Sequence, residues 1–180
     1  MESYSHHNQF VAEFRFRGAA EEAIRELGEA KFNLRQFSIV ARKGNPLLLD
    51  EMHDRPTKVA SGWRDLQSLC STLSGILLAP TDVYIGGVGS VFVAGRAVTS
   101  IDQAIANASN DGGHDTLRRM FLRMGISNER AKFYATSVED GNFVLVFAGN
   151  DRELNQARSL VSPFSTTYLE YSEHNLPIAV

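Results

Sequence analysis

Residues 83–89, Val-Tyr-Ile-Gly-Gly-Val-Gly, hold the spacing most open to a chemical reading. A glycine-rich turn after an apolar strand can present backbone N–H groups to a phosphate. Gly86, Gly87 and Gly89 supply such a turn, and Tyr84, Phe92 and Val93 flank it. Phe92, however, stands where the third glycine of a dinucleotide fingerprint would fall, and no lysine follows at Walker spacing. Close backbone packing or a tight turn is the stronger account of these glycines. The contact residues the sequence nominates, for a ligand or a partner copy, are Tyr84, Gly86, Gly87, Gly89, Phe92 and Val93.

The remaining reactive side chains form no complete constellation. His6, His7, His53, His114 and His174 show no HxxxH, HxxEH or cysteine-paired spacing, and Cys70 is the single cysteine. His114 beside Asp115 could form a hydrogen-bonded pair across a substrate, but a helix start with Asp115 favoured by the dipole explains both. Asp50, Glu51, His53 and Asp54 could bind a cation or simply decorate a surface loop. Ser127 and Ser137 flank a helix without the GxSxG context of a hydrolase. Arg118, Arg119, Arg123 and Arg130 read as a solvated face diluted by Glu129, Glu139 and Asp140. No catalytic residue, metal or cofactor is assigned, and the expectation is a protein that is not an enzyme.

Composition sets the frame. The 180 residues are 43% hydrophobic and 22% charged, as in an ordinary globular domain, with a net charge of −3 that gives no footprint for nucleic acid. A lone cysteine suits a reducing compartment. The stretch MESYSHHNQF lacks the basic and apolar regions of a signal peptide, so the expected location is the cytoplasm. Residues 83–98 are too short to span a bilayer, so membrane association has no spanning segment behind it.

The elements that must position these residues repeat at the two ends of the chain. Residues 10–42 read strand, helix, strand (FVAEFRF, AAEEAIRELGEAKF, QFSIVAR), and residues 143–171 read the same way (FVLVFAG, RELNQARSLV, TTYLEYS). In the first strand Phe10, Ala12, Phe14 and Phe16 alternate with Val11, Glu13, Arg15 and Arg17, which predicts one core face and one mostly wet face. The first helix carries Ala20, Ala23, Ile24, Leu27 and Ala30 at helical spacing, with its acidic residues concentrated early. The strand 143–148 is apolar at every position, as a covered central strand would be. Asn150 with Glu153 reads as a capping-box variant. Between the halves, helices are predicted at about 62–78, 115–124 and 127–140, with Gly125 and Gly141 as closing residues and Ser127 as an N-cap. Residues 83–98 read as irregular or short elements.

Three segments also resemble the bacterial general stress (heat-induced stress) protein family, a group built around a domain of unknown function. Residues 19–42 resemble its acidic helix leading to a strand of the form "ISVVA". Residues 85–97, IGGVGSVFVAGRA, resemble its central block, which runs "IPGVGPVLAAG". Residues 121–147 resemble its Leu-Gly-Ile-Pro-like turn, Ala- and Tyr-bearing helix and glycine before an apolar strand. This chain departs at Ser127, where relatives carry proline, and at Arg96 and Asp102. The resemblance brings no catalytic or ligand residue with it.

The sequence thus predicts one α+β domain over residues 1–180, a ferredoxin-like βαβ–insert–βαβ sandwich. Residues 10–42 and 143–171 form its halves, and 44–142 a long, partly helical, glycine-containing insertion. The expected function is a non-enzymatic stress-response or interaction protein. The alternative is a small-ligand or nucleotide-binding regulatory module using the glycine-rich block and the insert–sheet crevice. Two helices can cover only one face of the sheet, so the chain's own insert or a second copy must shield the other; a homodimer is expected, its interface including the insert or the open sheet face, with Tyr84, Phe92, Val93 and the glycine block as contacts.

Overall fold

The first and third predicted strands lie side by side. β1 (Asn8–Phe14) runs antiparallel to β5 (Phe143–Gly149), pairing Phe10 with Phe147, Ala12 with Leu145 and Phe14 with Phe143. The computed structural model describes residues 8–32, 36–43, 80–106 and 112–165, with the backbone of 170–172. The helix predicted at 62–78, Cys70, the acidic cluster 50–54, the histidines other than His114 and the tail from 173 lie outside the described residues.

Among the described residues, six strands make one antiparallel sheet in the order β3-β4-β2-β5-β1-β6. β2 is Phe37–Arg42, β3 Thr81–Ile85, β4 Gly89–Gly95 and β6 Glu170–Ser172. The stretch expected to hold irregular or short elements is a β-hairpin, which extends the sheet when β4 pairs with β2, Val93 opposite Val40. Its β-branched residues sit on a pleated surface, where such side chains pack well. β3 alternates in exposure and ends on a turn closed by the bond from Val88 N to Ile85 O at 3.1 Å. Its Asp82 pairs with Lys43, and such a charge on an outer strand discourages stray pairing.

One face of the sheet is covered by α1 (Arg17–Glu29) and α5 (Asp151–Val161). Ala20, Ala23, Ile24 and Leu27 of α1, with Leu154, Ala157 and Val161 of α5, pack on Phe10, Phe14, Phe37, Ile39, Leu145 and Phe147. α1 opens at Arg17, two residues earlier than its apolar pattern suggested, so no acidic residue falls in its first turn. The predicted capping box is present: Asn150 Oδ1 accepts from Glu153 N at 3.0 Å and Glu153 Oε2 accepts from Asn150 N at 2.9 Å.

The other face is covered by the insertion, one of the two covers the sequence allowed for it. Helices α2 (Ala97–Ala106), α3 (Gly113–Arg123) and α4 (Asn128–Glu139) return from the insertion and pack on Val11, Val40, Val91, Val93, Val144 and Val146. α2 was not foreseen. The face expected to be mostly wet is dry, with Glu13 only 4% and Gln9 only 7% exposed. Phe16 is not a core residue of β1; it stands before α1 and is 42% exposed. The expected dimer through an open sheet face loses its ground, because the chain covers that face itself. Phe92 and Val93 are buried on opposite faces of the sheet and have no surface to offer a partner. Among the described residues, no helix is long and apolar enough to cross a membrane.

Candidate functional site

The glycine-rich block resolves into a hairpin turn. Gly86, Gly87 and Val88 form the loop, Gly87 has φ +82°, and Gly89 opens β4 with φ +105°. The carbonyl of Gly86 packs against the first residue of α3 so closely that a Cβ on Gly113 would lie 2.2 Å from it. These glycines thus serve a turn and a close approach between hairpin and helix. Tyr84, 78% exposed, lies on the outer strand beside them.

The predicted helix ends do the positioning around this contact. Gly125 and Gly141, with φ +93° and +91°, follow α3 and α4 as C′ residues. Ile126 N bonds Phe121 O and Asn142 N bonds Ser137 O, the longer bonds of two Schellman motifs. Ser127 takes the N-cap position of α4, although its hydroxyl makes no capping bond. His114 does not pair with Asp115. Its Nδ1 lies 2.9 Å from Glu139 Oε2, while Arg42 Nη1 donates to Glu139 O at 2.8 Å, so the start of α3, the end of α4 and β2 are tied together. The guanidinium of Arg42 also suits the negative end of α4.

Asp115 sits in the first turn of α3 and accepts from Arg118 Nε at 2.7 Å and pairs with Arg119 Nε at 2.8 Å. The hydrogen bond from Arg118 is the largest influence holding its carboxyl below the usual aspartate range. Arg118 Nη1 also donates to Asn128 Oδ1 at 2.8 Å, which fastens α3 to α4, and Arg123 reaches Gln103 of α2 at 3.1 Å. This part of the basic set is structural. Among the described residues, no group of three or more His, Cys, Asp or Glu side chains is placed to hold a metal ion.

The arrangement with binding character lies elsewhere, at the end of the sheet between β1, β2 and the insertion helices. A cleft there is lined by Gln9, Gln36, Ser38, Arg96, Ser100 and Met124, with Val146 and Ala148 as apolar wall. Gln9 Nε2 donates to Met124 O at 2.5 Å, but Gln9 Oε1 is buried with no hydrogen-bond partner, and so is Gln36 Oε1. Ser38 Oγ accepts from Ala97 N at 3.2 Å at the start of α2, which leaves its hydroxyl proton available. Ser100 Oγ donates to Arg96 O at 3.3 Å. Arg96, an exposed residue, also lines the cleft.

Gly95 sets Arg96 in place. Its φ is +73°, and a Cβ there would lie 2.0 Å from Phe37 O, so the chain can turn from β4 into α2 directly over the start of β2. Buried carbonyl groups are nearly always hydrogen-bonded, and an orphan costs about 1–3 kcal/mol. Both orphan oxygens belong to residues that line the cleft, although the atoms themselves are buried. None of these cleft residues was nominated from the sequence. The usable signal was the polar pair Gln9 and Glu13 alternating with Val11 on a strand face that the insertion had to cover.

Comparison with family models, with curated proteins and with solved structures gave no match to this chain. The likeness to general stress proteins therefore rests on the three sequence segments alone.

Proposed function

We propose that this protein is a non-catalytic module that binds a small polar ligand in the cleft between the sheet end and the insertion helices. One observation carries the reading: a side chain as buried as Gln9 keeps an unpaired amide oxygen in a residue that lines an open cleft, with the cation of Arg96 on the same cleft. The site is in the insert–sheet crevice rather than in the glycine block, whose glycines are used in the hairpin turn and its contact with Gly113.

The finer architecture belongs to the same proposal. The order β6-β1-β5-β2, with α1 and α5 on one face, supports a ferredoxin-like core. The hairpin β3–β4 extends it and α2–α4 close its second face. A role in the stress response follows from the family resemblance alone.

The test is thermal unfolding against a panel of nucleotides and small metabolites. A ligand of the folded state raises the midpoint with the logarithm of its concentration. The rise should be lost in Arg96→Gln, whose exposed side chain can be changed without disturbing the core. A panel with no active compound, or a rise unchanged in Arg96→Gln, would refute this assignment of the site.

A further inference from the structure

We draw no further inference here: the strongest candidate, the side-chain cluster of His114, Glu139 and Arg42 beside the Gly86–Gly87 turn at the amino end of α3, is held by hydrogen bonds among its own members, and nothing else in the structure points to a ligand for it.

Discussion

Glu13 on β1 and Ser137 on α4 are hydrogen-bonded, hydroxyl to carboxyl oxygen, although 124 positions separate them in sequence. Both are buried, at 4% and 5% exposure, and Asn142 Nδ2 donates to the same hydroxyl at 3.2 Å. The contact fixes where the insertion lands on the sheet. Apolar packing of α4 on Val144 and Val40 is non-directional, whereas a bond between one carboxyl and one hydroxyl specifies register.

Ser137→Ala should therefore cost more than the loss of one oxygen atom suggests. The carboxyl of Glu13 loses a donor in a dry setting, and Asn142 loses an acceptor, for a destabilisation of about 1–3 kcal/mol. Urea unfolding should show a lower midpoint with an unchanged slope. Equal midpoints for the two proteins would mean that the bond contributes nothing to docking of the insertion.

The same contact shows what could be read in the sequence and what could not. The alternation Phe10, Ala12, Phe14 announced one core face correctly, because those side chains are apolar and their period is that of a strand. Val11, Glu13, Arg15 and Arg17 read as the mostly wet face because three of the four are charged, yet Val11 and Glu13 are buried. Their burial depends on helices far along the chain, and no local pattern encodes that return. The termini of α3 and α4 were legible, since Gly125 and Gly141 act within a few residues. The cleft was not, because Gln9, Gln36, Ser38 and Arg96 come from separate segments that only the sheet order brings together. Residues 83–98 were obscure for another reason: their glycines suit a hairpin, a bulge or close packing equally, and the pairing of Val93 with Val40 decides among these.

Lys31 offers a stabilising change. It is the C′ residue of α1, with φ +58°, and its N–H bonds Gly28 O at 3.0 Å while Phe32 N bonds Leu27 O at 3.1 Å. A side chain in this left-handed region costs about 1–2 kcal/mol, part of which glycine gives back as backbone entropy in the unfolded chain. Lys31→Gly should raise stability by about 0.5–1 kcal/mol. Lys31→Ala keeps a Cβ and should stay within about 0.5 kcal/mol of the native protein. Equal effects of both changes would show that the lysine head, not the backbone, is at issue.

Gly95→Ala should be severe. The substituted Cβ would meet a backbone carbonyl, Phe37 O at 2.0 Å, in a conformation with φ +73° that L residues disfavour. Strain and forced movement together predict a loss of about 2–5 kcal/mol. Ligand binding should weaken as well, because Arg96 follows directly. A Gly95→Ala protein of native stability would place the turn into α2 differently from this structure.

Asp115 should make stability fall in acid. Its carboxyl is held below the ordinary value of 3.8, first by the hydrogen bond from Arg118 and then by the charges of Arg118 and Arg119. A group whose pKa is depressed on folding contributes in full above its unfolded pKa, and the contribution disappears as pH drops through the folded one. The difference in urea midpoint between the native protein and Asp115→Asn should accordingly be constant well above pH 3.8 and shrink below it. The effect should be modest and diminish in high salt, because the Asp115 side chain is 29% exposed. A difference that persists undiminished at the acid end would show that Asp115 acts through its shape at the helix start, not through its charge.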